Sequence, residues 1–540
     1  MAPFETHEVL NQSRPLQGHN PFLDDPALRE SLEWTGAGWI AAEAEKLGAT
    51  LGTAEIRRAA EDAERHGPVL RTHDRYGNRV DEVDFHPDYH RFMALSTEYG
   101  AHSLSWEEER KGAHAARTVL FSLLGQVEPG HGCPISMTHA AVPALRATPE
   151  LAASWEPTVT SRHYDPELKP LGEKRGATIG MAMTEKQGGS DVRANTTRAT
   201  PVGDHYVLRG HKWFCSAPMS DAFLVLAQAP GGLSCFLMPR VLPDGTRNPI
   251  RIQRLKDKLG NRSNASSEIE LHDAEAWLVG EEGRGVPTII EMVNHTRVDC
   301  VIATAAGMRQ SVAEAVWHTS HRSAFGKPLR EQPAMRAVLA DLALESEAAT
   351  VTMMRLAAAY DDPGQAGFRR LATAVAKHWI CKRGPGHAAE ALECLGGNGY
   401  TEDFPLARRY REQPLMSIWE GSGNVIALDI LRALAKDPRC GSDFMAEVGR
   451  AAGLHPLFDA HLTKLADALP SADQAGARRL AEAMGLALQS SLLLLHAPKP
   501  VADAFCEGRL GEDRSLNYGG LGDGLDLDAI IDRATPRPVD

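Results

Sequence analysis

The sequence predicts an α+β multidomain protein that is mostly α-helical. Long segments that mix apolar and charged residues at helical spacing fill most of the chain. One stretch in the middle instead holds short β-type runs that Gly, Pro, Asn and Asp separate. A chain of 540 residues is also too long for a single hydrophobic core. We therefore expect several domains, in the order helical, β, helical bundle, helical.

These patterns divide the chain into four domains. Residues 1–175 are expected to be helical, with a proline-rich N-terminal arm that lies extended along the surface. Residues 176–285 contain runs such as HYVLRGHKWF, AFLVLAQA and LSCFLMP and are expected to form the β-domain. Residues 286–436 hold long Ala- and Leu-rich helices that are typical of a buried bundle. Residues 437–540 are expected to add a C-terminal helical domain, helical at 443–468 and 472–497.

Composition excludes several classes of protein. The formal net charge of −13 gives no whole-protein basic field for nucleic acid, although a local patch could still form. The eight cysteines form no CxxC pair, which indicates reduced thiols and neither a disulfide framework nor a zinc site. The first residues do not resemble a signal peptide, and the apolar runs are too short for a membrane span. We expect a cytoplasmic protein with no membrane contact.

Two motifs in the β-domain could bind a flat, polar ligand. In MAMTEKQGGSD, glycines let backbone amides approach a ligand, and Thr184 and Ser190 supply hydroxyl groups. In HKWFCSAPMSD, Trp213 and Phe214 could stack on a ring system while Ser216 reaches its edge. Taken alone, the first motif is more typical of an ordinary strand-to-loop turn, and the second is more typical of a strand that carries core aromatics.

Two further motifs lie in the helical bundle. In HRSAFGKPLREQPAMR, Arg322 and Gln332 flank Phe325 and Gly326, and a guanidinium near a glycine turn suits a pyrophosphate. In ECLGGNGY, three glycines either end a helix or let a cofactor approach closely. A solvated joint between helices is the alternative for the first motif, and a simple helix cap is the alternative for the second.

The segment SIWEGSGNVIALDILR contains a candidate general base. Glu420 follows Trp419 and precedes a Gly-Ser-Gly turn and an apolar helix. Burial beside the indole and the amides of the turn would act on this carboxylate in opposite directions, and general bases are tuned by such environments. The alternative is an acidic residue that caps the helix.

The types, order and spacing of these motifs resemble the acyl-CoA dehydrogenase family over about residues 85–435. The segment KLGNRSNASSEIELHDAEAWLVGEEGRGV is similar to that family's closing β-segment, and Gly260, Arg262 and Ser267 stand at positions that match the family's pattern. The resemblance implies the acyl-CoA dehydrogenase fold, in which a helical domain, a β-barrel or sandwich domain and a helical bundle follow one another. It also implies FAD in the cleft between β-domain and bundle. The C-terminal helical domain is extra to this core.

The resemblance carries cofactor-binding roles onto residues of both halves of the chain. Some of these residues would act from a neighbouring subunit, so the resemblance also implies an oligomer. A homotetramer is typical of the family. No metal is implied. The residues implied to bind FAD are Met183, Thr184, Gly189, Ser190, Trp213, Phe214, Ser216, Arg322, Phe325, Gln332, Gly396, Gly397, Ser422 and Asn424.

Glu420 stands where many members of the family keep the catalytic base. The implied reaction removes the α-proton of an acyl thioester while the flavin accepts the β-hydrogen as hydride. The family's alternative base position falls at about Thr296, which cannot serve. Arg297 matches an arginine that anchors the substrate, and Trp419 replaces a commoner tyrosine in the substrate site. Asn294 stands where an acidic partner is usual, which favours an unusual substrate; the electron acceptor stays open.

Three segments are most similar in sequence to AidB-type flavoproteins of the bacterial response to DNA alkylation: GHKWFCSAPMSDAFLVLAQ, LKDKLGNRSNASSEIE and IWEGSGN. That resemblance implies binding of double-stranded DNA through the C-terminal domain and only weak dehydrogenase activity. Residues 437–540 hold ten Lys/Arg against sixteen Asp/Glu, so their charge does not by itself favour DNA. A local cluster could form from Arg432, Lys436, Arg439, Arg478, Arg479, Arg509 and Arg514.

Three hypotheses about function stay open at this point. The first is an FAD-dependent dehydrogenase that acts on an acyl thioester. The second is a DNA-binding protective flavoprotein with vestigial dehydrogenase activity. The third is a biosynthetic flavin oxidase that uses the same scaffold with oxygen.

Overall fold

The computed structural model describes residues 6–538, which form two compact units. One unit spans Arg58–Asp299, and the other joins the chain up to Arg57 with the chain from Cys300 onward. In chain order the helices are α1 (Pro26–Thr35), α2 (Ala41–Leu51), α3 (Ala54–Arg65), α4 (Pro87–Glu98), α5 (Leu104–Glu107), α6 (Ala113–Val127), α7 (Gly132–Leu145), α8 (Pro149–Val159), α9 (Gly285–His321), α10 (Pro333–Tyr360), α11 (Ala366–Glu393), α12 (Pro405–Met416), α13 (Gly423–Lys436), α14 (Pro438–Gly449), α15 (Pro456–Ala468), α16 (Ala477–His496), α17 (Lys499–Leu510) and α18 (Leu527–Ala534). The strands are β1 (Val69–His73), β2 (Arg79–Asp84), β3 (Ile179–Ala182), β4 (Arg198–Val202), β5 (His205–Ser216), β6 (Ala222–Ala229), β7 (Gly232–Pro239), β8 (Ile250–Leu255), β9 (Ser266–Val279), β10 (Ser323–Ala324) and β11 (Lys327–Pro328).

The unit Arg58–Asp299 contains a seven-stranded sheet that closes on itself. The strand order is β3-β6-β4-β5-β9-β7, and β7 pairs again with β6, while β8 joins β9. Apolar side chains of alternate positions, such as Phe223, Val225 and Phe236, fill its interior. The predicted β-runs do not include β4 (RATPV) or β8 (IRIQRL), because exposed polar residues interrupt the apolar residues in both strands. The mostly helical α+β class and the order of elements are confirmed.

The region 1–175 is less uniform than the sequence predicts. Strands β1 and β2 form an antiparallel hairpin between helices α3 and α4. The arm was expected to lie extended along the surface, and this expectation is wrong for residues 16–25. Leu16 and Phe22 are buried, and His19 lies 2.9 Å from the Asp24 carboxylate. Asp25 caps α1 by accepting a hydrogen bond from the Leu28 amide, so the helix begins soon after the arm. Residues 1–5 lie outside the described part of the chain.

A buried carboxylate joins the helices of this unit to its β-domain. Glu128 follows the last residue of α6 and accepts hydrogen bonds from His131 and from the Ser263 hydroxyl at 2.6 Å. Burial opposes ionisation of Glu128, but these partners outweigh it and lower its pKa to about 2. The loop that contains Ser263 belongs to the KLGNRSNASSEIE segment, which is therefore fixed to the end of α6.

In the other unit, α11 packs against α10 and against α12, α13, α14 and α16. The C-terminal helices are thus part of the bundle. A Cβ atom at Gly485 of α16 would come within 2.6 Å of the Trp379 ring of α11, so glycine permits this close packing. The helix expected at 443–468 is divided into α14 and α15, because residues 450–455 leave the helical conformation around Gly453, which has a φ of 84°.

Arg509 of α17 fastens the C-terminal helices to α10. Its guanidinium contacts the carboxylates of Asp341 and, at 3.0 Å, Glu345, and Arg383 of α11 contacts Glu345 as well. Both carboxylates are buried. Because these acids have cationic partners inside the bundle, the tail helices are integral to the unit. Across residues 6–538, no helix is long and apolar enough to span a membrane.

We expect Arg509→Ala to lower the free energy of unfolding of the helical unit by about 3–5 kcal/mol, because it leaves the buried Asp341 carboxylate without its cation. Urea denaturation followed by far-UV circular dichroism measures this change. The matched control is Arg514→Ala, which removes an exposed ion pair with Glu482 and should cost no more than about 1 kcal/mol. Equal losses in the two variants would contradict the role given to Arg509.

Candidate functional site

A buried ion pair fixes the first β-domain motif to the second. Lys212 of HKWF lies 2.9 Å from Glu185 of TEKQGG, and neither side chain is exposed to solvent. Lys212 also donates to the Leu226 carbonyl, and Glu185 accepts from the backbone amides of Thr196 and Thr197. Burial lowers the pKa of Lys212 to about 8 although Glu185 opposes the shift, so the ammonium stays charged at neutral pH.

A β-bulge in β5 presents the two aromatic residues of the second motif. The register between β5 and β9 shifts between Lys212 and Cys215, both of which are buried. Trp213 and Phe214 occupy the two positions between them, where regular alternation leaves room for one. Trp213 is half-buried and Phe214 is 50% exposed. The bulge therefore keeps both rings away from the β-domain core.

The glycine loop lies beside these aromatics in the same unit. The Trp213 amide donates to the Thr184 carbonyl at 2.8 Å, which joins the loop to the bulge. Gly188 has a φ of 138°, and a Cβ at Gly189 would come within 2.4 Å of the Thr184 hydroxyl oxygen. Met183 and Thr184 are half-buried, and Ser190 is exposed.

The structure thus brings most of the β-domain candidates together. Ser216 lies further along β5, with its hydroxyl 3.3 Å from that of Ser266. A cation covers one face of the half-buried indole, since the Lys256 ammonium lies 3.2 Å from the centroid of Trp213. That contact leaves the opposite face of the ring as the one suited to a flat ligand.

Glu420 lies in the turn between α12 and α13, three residues before the first residue of α13, the helix that it would cap in the alternative interpretation. Its φ is 57°, a left-handed conformation that non-glycine residues adopt at a cost of about 1–3 kcal/mol. The Lys377 ammonium donates to the Gly421 carbonyl at 2.6 Å, and His378 donates to the Gly423 carbonyl at 3.0 Å. Contacts from α11 to the adjacent residues therefore hold the turn, and the Glu420 side chain is half-buried.

Trp419 provides an uncommitted donor next to Glu420. Its ring packs against the cluster of Cys300, Cys381 and Met416. The indole Nε1 is buried and has no hydrogen-bond acceptor among the described residues. An orphaned donor of this kind suits a polar group of a ligand.

The HRSAFGK motif forms a tight hairpin of β10 and β11. Phe325 and Gly326 both have positive φ at its tip, and Phe325 is 97% exposed. Arg322 donates to the Asn11 carbonyl at 2.8 Å, and Gln332 donates to the Ala324 carbonyl at 2.9 Å. The two polar side chains therefore brace the hairpin within their own unit.

The remaining bundle candidates lie on exposed backbone. Gly396 and Gly397 are exposed, and a Cβ at either position would meet no atom within 4 Å. Ser422 and Asn424 flank Gly423 at the start of α13 and are exposed as well. Asn424 accepts a hydrogen bond from Arg478 of α16 at 3.3 Å, so a C-terminal helix reaches the turn that carries Glu420.

The candidate substrate arginine lies on α9, in the unit Arg58–Asp299. Arg297 and Thr296 are both buried, and the Thr296 hydroxyl donates to the Val293 carbonyl at 3.0 Å. His295 precedes them and packs against the ring of His139, whose pKa burial holds well below its ordinary value. Arg297 therefore lies in a buried, histidine-rich part of this unit.

The seven cations considered for DNA contact are not equivalent. The Arg509 side chain is 13% exposed and is held by acids, so it is not available to phosphate. Arg439 and Arg514 are exposed but pair with Asp437 and Glu482. Arg432 lies 4.0 Å from Asp429, and Arg478 contacts Asn424. Lys436 and Arg479 are exposed.

The sequence motifs do not identify three residues that position the candidate side chains in their own units. Lys212, Glu185 and Lys377 are charged, and their buried partners come from distant parts of the chain. A lysine that directly precedes two aromatic residues in a β-type run, as in HKWF, was a usable signal, because a buried charge needs a partner. Nothing in the sequence near Lys377 points to the Gly421 carbonyl.

The elements follow one another in the order helical, β, helical, and both units carry candidate residues. Family models match in the same order: the Adaptive response protein AidB N-terminal domain at residues 11–166, the acyl-CoA dehydrogenase middle domain at 180–274 and its C-terminal domain at 283–435. The chain is 46% identical to the putative acyl-CoA dehydrogenase AidB of Escherichia coli (strain K12) over 93% of its length and 94% of that protein. It belongs to the acyl-CoA dehydrogenase family, in its AidB-type branch.

A sequence comparison and a structure comparison with Caenorhabditis elegans extend this result. Acyl-CoA dehydrogenase family member 11 is 30% identical over 87% of this chain and 80% of that protein. The crystal structure of ACDH-11 in complex with C11-CoA superposes with a TM-score of 0.86, at 26% identity and 96% coverage of both chains. The expected fold and the expected family are therefore confirmed.

We expect Lys212→Met to destabilise the β-domain by about 3–5 kcal/mol, because Glu185 then remains buried without its cation. Urea unfolding followed by tryptophan fluorescence measures the loss. Arg209→Met, three residues earlier on β5, removes an exposed ion pair with Asp273 and should cost no more than about 1 kcal/mol. The double variant Glu185→Gln/Lys212→Met should lose less than Lys212→Met alone, and a larger loss would count against the pair.

Proposed function

We propose that this protein oxidises acyl thioesters between Cα and Cβ, with Glu420 as the base that removes the α-proton. The observation that carries the proposal is the turn at Glu420. The chain adopts a left-handed conformation there, and the Lys377 contact to the Gly421 carbonyl stabilises it. Strain that persists because surrounding contacts enforce it is typical of catalytic positions. Membership of the acyl-CoA dehydrogenase family supports the same role.

The residues of this chain fit FAD, the cofactor that the family uses. In the β-domain, the bulge frees Trp213 and Phe214 from the core, and Gly188 leaves open space in the adjoining loop. Aromatic faces and open backbone suit a large ring system with polar edges.

We assign the cofactor contacts in two groups. From the unit Arg58–Asp299, the proposed residues are Met183, Thr184, Gly189, Ser190, Trp213, Phe214 and Ser216. From the helical unit, they are Arg322, Phe325, Gln332, Gly396, Gly397, Ser422 and Asn424. We propose that some of these contacts serve a neighbouring subunit of a homotetramer, which would cover the exposed Phe325 ring.

The chain's own part in the reaction is a proton transfer. One Glu420 oxygen takes the α-proton, and the electron pair of that C–H bond forms the Cα–Cβ double bond. When bound, FAD supplies the acceptor for the hydride that leaves Cβ, so a saturated thioester yields a 2,3-unsaturated one. A single fixed carboxylate is enough for this proton transfer. Thr296, which donates its hydroxyl to a backbone carbonyl, offers no competing base.

We further propose that Arg297 and Trp419 contact the substrate. The Arg297 side chain is buried and carries a charge that an acyl thioester's polar groups could meet. Trp419 adds the indole donor beside the base. The relative solved with C11-CoA supports a medium-length acyl chain as the first substrate to test.

We expect Glu420→Gln to slow reduction of the bound flavin by C11-CoA by about 10²–10⁴-fold, the usual contribution of a general base. Anaerobic stopped-flow absorbance measures the rate, and the flavin content of the purified variant shows that the cofactor site is intact. Glu402→Gln serves as the control, because Glu402 is exposed and pairs with Arg411. Flavin reduction at the wild-type rate in Glu420→Gln would refute the assignment.

A second candidate function is duplex DNA binding in a response to alkylation. The match of residues 11–166 to the adaptive response protein AidB favours it. The surface charge gives it weaker support, because acids accompany Arg439 and Arg514 and the tail is acidic overall. Arg478 and Arg479 of α16 are the exposed neighbouring cations best suited to phosphate contact.

If the protein binds DNA in this way, affinity for a duplex should fall linearly with the logarithm of salt concentration. Replacing Arg478 or Arg479 by Ala should reduce that slope by about 1 for each phosphate that the protein no longer neutralises. Arg71→Ala, in the exposed hairpin of the other unit, is the control and should leave the slope unchanged. Fluorescence anisotropy measures the titration. Absence of binding at low salt, or a flat slope, would eliminate this function.

A further inference from the structure

Three histidines from three helices converge in the unit Arg58–Asp299. His114 lies in the first turn of α6, His139 lies in α7 and His295 lies in the first part of α9. One ring nitrogen from each lies within 4.8 Å of the others. His139 and His295 are buried, whereas His114 is half-buried. Neither the cofactor contacts nor the proton transfer described above uses these rings.

We propose that His114, His139 and His295 form a binding site for a divalent transition-metal ion of the kind that prefers imidazole, such as Zn²⁺. Imidazole nitrogens bind Zn²⁺ at about 2.0–2.1 Å, which places ligands of a tetrahedral site about 3.4 Å apart. The observed upper limit of 4.8 Å requires the rings to approach by less than about 1.5 Å for each pair. Side-chain rotation can provide this without moving a helix.

The hydrogen bond of His139 suits a metal ligand. Its Nδ1 lies 3.3 Å from the His102 carbonyl oxygen and donates to it, which leaves Nε2 with the lone pair. Histidines that bind metals commonly donate their second ring nitrogen to a backbone carbonyl in this way. The contact therefore favours the tautomer in which Nε2 keeps its lone pair for a metal.

Trp106 forms an apolar wall of the site. Its indole stacks on His139 at 4.9 Å between centroids and meets the rings of His114 and His295 edge-on at 5.1 and 5.2 Å. The indole Nε1 donates to the backbone carbonyl of His139, which holds the wall in place. An apolar wall limits water access and strengthens coordination by the imidazoles.

Two arginines near the cluster have carboxylate partners. Arg117, three residues after His114, forms a two-pronged ion pair with Asp299, four residues after His295. Arg146, whose guanidinium lies 5.4 Å from the Trp106 ring, pairs with Glu156. Because a carboxylate accompanies each of these two cations, the repulsion that they would exert on a bound dication is reduced.

Three protein ligands leave one coordination position for water or another small ligand. Sites of this composition are typical of zinc centres that keep an open position. The half-buried His114 marks the side from which an ion can reach the site. The eight cysteines are buried and contribute no ligand to this group of side chains.

The test uses the full-length protein with its cofactor, dialysed against a chelator. Isothermal titration with Zn²⁺ should show one equivalent bound per chain, and Co²⁺ should give the visible absorbance of a tetrahedral site. His114→Ala should weaken Zn²⁺ binding by at least about 100-fold, since loss of an outer partner alone costs about 10–100-fold. His73→Ala, an exposed imidazole of the same unit, should leave it unchanged.

A folding measurement keeps the outcome unambiguous. Zn²⁺ should raise the melting temperature of the wild-type protein and of His73→Ala, but not that of His114→Ala. The proposal is wrong if Zn²⁺ does not bind stoichiometrically to the wild-type protein, or if His114→Ala and the wild type bind it with equal affinity. The three histidines would then only pack against one another and against Trp106. Neither result bears on Glu420, because both readouts are independent of flavin reduction.

Discussion

The Lys212–Glu185 ion pair is the interaction on which the β-domain half of the site depends. Two charges removed from water are tolerated because each satisfies the other and because backbone groups complete their hydrogen bonds. The pair joins the glycine loop to β5 one residue before Trp213. The bulge then turns Trp213 and Phe214 out of the core. A site made of loop and strand thereby becomes rigid.

In the helical unit, hydrogen bonds to backbone carbonyls hold the turn that carries the candidate base. The turn at Glu420 is short and strained, and a carboxylate on a flexible turn would be a poor base. Buried Lys377 and His378 of α11 donate to two carbonyls of that turn. A buried helix of the bundle therefore positions the candidate base, and the C-terminal helix α16 adds the Arg478 contact to Asn424.

Much of the architecture was predictable, because long amphipathic helices and continuous apolar strands leave clear patterns in the sequence. AFLVLAQA, for example, is β6 from end to end. The structural features that the sequence did not predict have physical causes. Strand β4 is short and polar, and the burial of Leu16 and Phe22 in the arm depends on tertiary packing that the local sequence does not encode. The motifs located the candidate site, but the partners that position it, such as Lys377 for Gly421, became visible only in three dimensions.

The placement of Arg509 has a consequence for the order of events during synthesis. Asp341 is made 168 residues before the arginine that neutralises it. At the ordinary rate of about 5–20 residues per second, roughly 10–30 s pass between the synthesis of Asp341 and that of Arg509. The nascent bundle therefore carries the Asp341 carboxylate without its cation until α17 emerges from the ribosome. Final packing around Asp341 therefore follows the synthesis of α17, when Arg509 becomes available.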